Sequence, residues 1–214
     1  RSLNLYNGSN KILIFNPAAA TALQSIDTGT LRKTIPDLIY MEGFIVPRHD
    51  LVHRIITWKD TTHAELSLDL GAAPIARAHR EFIVNFVLPK ASYVFGTEEE
   101  IAELKLTVSE LAELLNSRNN GPGIVIMKKG AFGSTIYIPP KKFDIHPRKA
   151  LVVDTGGAGD AYAGFFLSAL IHGTSVEMAA REASYGTTLA LRQFGGNISS
   201  AAVESVSKIF HTPI

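Results

Sequence analysis

Residues 124–128 read IVIMK, with apolar side chains at four successive positions. A strand that is apolar at successive positions has no face to turn to water, so it must be covered on both sides. Similar β-branched and aromatic runs recur at residues 11–15 (KILIF), 37–41 (DLIYM), 65–70 (ELSLDL), 92–95 (SYVF), 134–138 (STIYI) and 150–154 (ALVVD). Helical periodicity lies between many of them. Residues 49–59 carry Leu51, Val52, Ile55 and Ile56, and residues 76–87 carry Ala78, Phe82, Ile83, Phe86 and Val87. Residues 107–115 open with Thr107 three positions before Glu110, the spacing of a capping box. Two further helices are expected over residues 175–194 and 199–210, with Gly173 and Gly195 where helix ends need a left-handed residue. This alternation predicts an α/β fold of three layers, a mostly parallel sheet flanked by helices. Residues 124–138 break the rhythm as two strands around a tight turn.

Composition narrows the functional classes. Among 214 residues, 21 Lys and Arg stand against 20 Asp and Glu, a formal charge of +1. That balance gives no electrostatic reason to expect nucleic acid or an anionic membrane as partner. With no cysteine, disulfides, thiolate chemistry and cysteine-based zinc sites are excluded. No apolar run approaches the roughly 20 residues that span a bilayer, and the first residues lack a signal-peptide pattern. A cytoplasmic location is the expectation. The seven His residues read as surface or helix residues, and Trp58 falls on a helical apolar pattern, a packing position.

Residues 151–170, LVVDTGGAGDAYAGFFLSAL, carry the chemistry. A buried strand is expected to end at Asp154. Gly156, Gly157 and Gly159 then make a flexible turn, and a helix starts near Ala158. Backbone N–H groups at a helix start lack intrahelical partners, and the dipole is positive there. Glycines let such a backbone approach a ligand closely, which makes an anion site suited to phosphate. Asp160 stands in the first turn beside it. Dipole compensation or capping would explain an Asp there. Next to a phosphate cradle it also makes sense as a base that accepts an alcohol proton during phosphoryl transfer. Competing motifs fail: no GxxxxGK followed by Ser or Thr is present, and GxGxxG started at Gly157 would need Gly where Tyr162 stands.

The run DTGGAGDAYAGFFLSAL resembles the C-terminal signature of the ribokinase-like (PfkB) carbohydrate and nucleoside kinases. The resemblance extends upstream through residues 37–43 (DLIYMEG), 88–100 (LPKASYVFGTEEE) and 124–133 (IVIMKKGAFG). Residues 73–75 and Phe95-Gly96 lean toward the adenosine kinase branch. The resemblance implies ATP and Mg2+ as cofactors and a hydroxymethyl group of a sugar or nucleoside as acceptor. It implies Asp160 as catalytic base and the backbone of Gly157, Ala158, Gly159 and Asp160 as anion hole. Lys128, Gly130, Gly133, Ser184 and Gly195 fall at nucleotide-contacting positions. Glu100 matches a Glu that holds metal-bound water, and Asp154 lies in a loop that binds a monovalent cation in some members.

Departures from the pattern are local. Thr97 stands where the family's NxxE motif has Asn, and Thr97 with Glu100 also has capping-box spacing. Lys128 and Lys129 occupy positions usually held by small polar residues; a lysine pair at a strand end reads first as solvated. Asp69 reads as a strand-end residue starting a turn. The family's early glycine pair has no counterpart, so the chain is expected to be truncated at its N-terminus. Residues 1–20 are then a lid remnant, with Asn7-Gly8-Ser9-Asn10 as its turn and residues 18–20 following it, and residues 21–214 are the catalytic domain. A lid edge of this kind would pair with a second copy. The alternative is a nucleotide-binding or regulatory module without catalysis.

Overall fold

Five of the seven apolar runs meet in one six-stranded sheet. The computed structural model describes residues 2–7, 10–15, 36–116, 123–196 and 198–211. Ser2–Asn7 (β1) and Asn10–Phe15 (β2) form a separate antiparallel hairpin in which Asn7 faces Asn10. The main sheet runs in chain order. Leu38–Glu42 (β3), Glu65–Asp69 (β4), Tyr93–Thr97 (β5) and Ile124–Lys128 (β6) are parallel. Ser134–Ile138 (β7) and Lys141–Ile145 (β8) complete it antiparallel. The crossovers carry His49–Thr62 (α1), Ala73–Ala78 (α2), a helical segment over residues 80–90, Glu98–Ala102 (α3) and Val108–Asn116 (α4). After β8 come Ala158–Ile171 (α5), Val176–Leu191 (α6) and Ser200–His211 (α7).

Alternation along each strand divides the core in two. Met41, Leu66, Leu68, Val94, Val125 and Met127 pack with Val52, Ile56, Ile83 and Leu111 from the crossover helices. Phe95, Ile124, Ile126 and Ile136 point the other way, onto Tyr162, Phe166 and Ala180 of α5 and α6. Phe95 meets Phe166 edge to face at 5.6 Å. Both faces of the sheet are therefore covered, which is why its strands could be apolar at successive positions.

Expected and observed elements differ in four places. Residues 150–154 are not a strand: Leu151 and Val152 are 78% and 56% exposed. β8 already occupies the place beside β7, and the N–H groups of Val153 and Asp154 donate to Leu191 O at the end of α6. β8 and β1, which periodicity did not single out, both form. The helix expected over residues 76–87 begins earlier and is interrupted at His79, whose φ and ψ are −114° and 19°. Gly173 and Gly195 take the expected positive φ, 81° and 79°. Gly8, Ser9, residues 18–20 and most of the loop at 116–123 lie outside the described residues. No helix among the described residues is long and apolar enough to cross a membrane.

Candidate functional site

Strand register assembles the site. Glu42 pairs with Asp69, Asp69 with Phe95, Phe95 with Ile126, and Thr97 with Lys128. Paired residues on neighbouring strands share a face, and residues two apart on one strand do too. Tyr40, Glu42, Asp69, Thr97 and Lys128 therefore crown the face whose lower rows, Phe95 and Ile126, hold α5. They stand at the carboxyl ends of the parallel strands, where open α/β sheets bind ligands. Gly43 brings β3 and β4 together at this edge: a Cβ there would stand 2.2 Å from Leu70 O.

α5 delivers Asp160 to the same edge. Its N-cap, Gly157, has φ of 73°, a left-handed conformation that glycine adopts without strain. Tyr162 fixes the first turns against the sheet through a buried 2.7 Å hydrogen bond with Ser134, and burial pushes its phenol pKa up to about 12. Within the expected anion hole, the Ala158 N–H turns back to Thr155 O at 3.3 Å. Gly159 faces a lysine: a Cβ at that position would lie 3.3 Å from Lys128 Nζ.

Lys128 is not solvated as its strand-end position suggested. Its Nζ donates to Asp69 Oδ2 at 2.6 Å, and the two side chains are 17% and 4% exposed. Asp69 starts the expected turn as well, since its Oδ1 accepts the Gly71 N–H at 3.0 Å. Tyr40 Oη lies 3.5 Å from Asp69 Oδ2. The Asp160 carboxyl is held above the ordinary aspartate range, by partial desolvation first and then by the charge of Asp69, with Lys128 opposing. Glu42 is raised for the same reasons: desolvation, then Asp160 and Asp69. The Tyr40 phenol is pushed far up by burial and by these carboxylates. Local spacing marks Asp69 only as a turn residue and gives no signal at Tyr40 or Glu42. The signal that could have found them is their common position at the ends of parallel strands.

The other expected residues fall into four groups. Asp154 is buried and ties two loops together: Oδ1 accepts the Gly156 N–H at 2.9 Å and Oδ2 the Gly195 N–H at 3.1 Å. Gly195 is thereby tied to the glycine loop that precedes α5. Gly130 opens the β6–β7 turn with φ of 56° and open space where a side chain would go, whereas a Cβ at Gly133 would meet Ile145 O at 2.0 Å. Ser184 lies apart, donating to His146 O at 3.4 Å beside a hollow of about 180 Å³ lined also by Arg148, Arg181 and Phe210. Thr97 and Glu100 form the capping box that opens α3. The Thr97 N–H donates to Glu100 Oε2 at 2.8 Å, and the Glu100 N–H to Thr97 Oγ1 at 3.2 Å.

A mostly parallel sheet with a glycine-opened helix at its carboxyl edge is an arrangement in which α/β proteins commonly bind phosphate. Residues 4–202 match the pfkB family of carbohydrate kinases, and the chain belongs to that family. It is 31% identical over 212 residues to a 5-dehydro-2-deoxygluconokinase of Shouchella clausii, covering 92% of this chain and 63% of that protein. It is 27% identical over 194 residues to the adenosine kinase of Schizosaccharomyces pombe, covering 81% of this chain and 56% of that protein. The chain thus spans less than two thirds of the length of these relatives. The fold matches an E. coli chain assigned as a ribokinase II, solved with ATP and Mg2+, at a TM-score of 0.77 and 20% identity, covering 97% of this chain and 71% of that one. It also matches a Burkholderia thailandensis nucleoside kinase in complex with inosine, at a TM-score of 0.71 and 18% identity, covering 98% and 66%.

Proposed function

We propose that the protein transfers the γ-phosphate of ATP to a hydroxymethyl group of a sugar or nucleoside, with Asp160 as base. One observation carries this reading: a carboxylate of raised proton affinity stands in the first turn of a glycine-opened helix, with the Lys128 ammonium against the next glycine. Base and phosphate cradle are thus neighbours. Asp160 takes the hydroxyl proton, the oxygen attacks the γ-phosphorus, and the bond from phosphorus to the β–γ bridging oxygen breaks to release ADP. The N–H groups of Gly157, Gly159 and Asp160 meet the charge of the transferring group.

The nucleotide lies along the loops that Asp154 joins. Gly130 and Gly133 flank its phosphates, and Gly195 and the helix bearing Ser184 border its base. Phe132 and Phe194 on these loops are 83% and 75% exposed, apolar rings of a kind that an adenine would cover. Mg2+ keeps most of its waters and takes phosphate oxygens, so it asks few oxygens of the protein. The oxygen chemistry of Glu100 suits that demand through water, with Oε2 already accepting the Thr97 N–H. Bound with ATP, the ion supplies charge neutralisation on the phosphates. The hairpin of β1 and β2 supports the reading of residues 1–20 as part of a lid.

The use of Glu100 in a capping box favours one other reading, a nucleotide-binding module without turnover. The Asp160→Asn variant separates the two. Under the kinase reading, the wild-type chain phosphorylates a sugar or nucleoside in a coupled assay. The variant then loses turnover by about 10³-fold or more while ATP affinity stays within a few-fold. Wild-type turnover retained by the variant overturns the role of Asp160. ATP binding without turnover by the unsubstituted chain, across sugars and nucleosides, favours the module.

A further inference from the structure

Lys128 and Asp69 are far apart on the sheet, and their contact is built. Asp69 is level with Phe95, Phe95 is level with Ile126, and Lys128 lies two residues beyond. The side chains span two strand spacings, roughly 10 Å, plus the offset along the strands. The lysine must therefore lie extended across β5 to reach Asp69 at 2.6 Å. Asp69 is fixed in turn by the Gly71 N–H and is 3% exposed. This holds the ammonium against Gly159, where a phosphate on the start of α5 would arrive.

An ammonium in that place has two anions within reach. One is Asp69. The other, on the kinase reading on which this inference rests, is the terminal phosphate of ATP. We propose that Lys128 exchanges partners with the nucleotide state, leaving Asp69 for the γ-phosphate when ATP binds and returning to Asp69 once that phosphate has been transferred. Lys128 then favours ATP over ADP, and Asp69 keeps the lysine from holding ADP. The titratable groups around the lysine are the neutral Tyr40 phenol and Glu42 from β3, Asp69 from β4 and Asp160 from α5. Of these only Asp69 makes a hydrogen bond with it among the interactions described.

The two residues predict effects of opposite sign. ATP and ADP affinities are measured by calorimetry on the full chain, in Mg2+ and without acceptor. Lys128→Met should weaken ATP about tenfold or more while changing ADP less than about twofold. Asp69→Asn frees the lysine and should tighten ADP about threefold or more, with ATP unchanged or tighter. Lys128→Met leaves Asp69 buried without its counter-ion, so the double variant, which removes both charges, guards against loss of folding and should weaken ATP selectively as the single variant does. Equal loss of ATP and ADP in Lys128→Met or the double variant overturns the proposal. So does unchanged ADP affinity in Asp69→Asn. Failure of the unsubstituted chain to bind ATP at all overturns the kinase reading, and this inference with it.

Discussion

Asp160, the proposed base, shows how a functional placement would cost stability. Its folded carboxyl binds a proton more readily than an ordinary aspartate, because it is partly desolvated and Asp69 is near. The sign follows from linkage: between the ordinary and the raised value the folded state holds more protons than the unfolded one, so stability falls as pH rises through that window. The cost is fully present at neutral pH. Asp160→Asn should therefore raise the melting temperature at pH 7 and lose that advantage at acid pH, below the ordinary aspartate range. Each ~1 kcal/mol corresponds to roughly 2–4 °C in a domain of this size. Thermal unfolding at two pH values checks it; a lower melting temperature at pH 7 would count against it. Asp160 was legible in the sequence because glycines and a helix start surround it. Asp69 and Lys128 were not, since their pairing depends on a register between strands 59 positions apart in the chain. Local spacing shows a turn and a solvated lysine; only the assembled sheet shows an ion pair.

At the scale of elements, local rules read well wherever the local signal was the cause. Thr97 with Glu100 and Thr107 with Glu110 both form the capping boxes their spacing announces. The parallel strands were apolar at successive positions because helices cover both faces. The failures have tertiary causes. Residues 150–154 have strand composition, but β8 holds the place beside β7. β8 itself, KKFDI, alternates charge with two apolar residues, a weak signal supplied by pairing with β7. The capping box at Thr97 carries a prediction. Thr97→Ala should cost about 1 kcal/mol, seen as a loss of roughly 2–4 °C in thermal unfolding. Glu100→Gln, which keeps a capping acceptor, should cost less. If both variants unfolded with the wild type, the box would not be holding α3.

The molecule as a whole is a sheet clamped between two unlike layers. On one face the crossover helices pack, α1 the longest of them; on the other lie α5 and α6, crossing closely at Gly186. A Cβ on Gly186 would stand 2.2 Å from the Phe165 ring. Gly186→Ala gains helix propensity of about 1 kcal/mol, yet must push α5 and α6 apart, at a typical overpacking cost of ~1–3 kcal/mol. The net expectation is a lower melting temperature together with weaker ATP binding, because α5 carries the proposed anion loop; thermal unfolding and calorimetry measure the two. A stabilised variant would show that the ring moves freely aside. The ion pair across β5 has a further consequence, for how such a sequence can drift. Replacing either Asp69 or Lys128 alone strands the other charge in a largely buried place, so single steps cost more stability than paired ones. A neutral residue at 128 costs least alongside a neutral residue at 69, so the two positions should vary together across a lineage more often than apart.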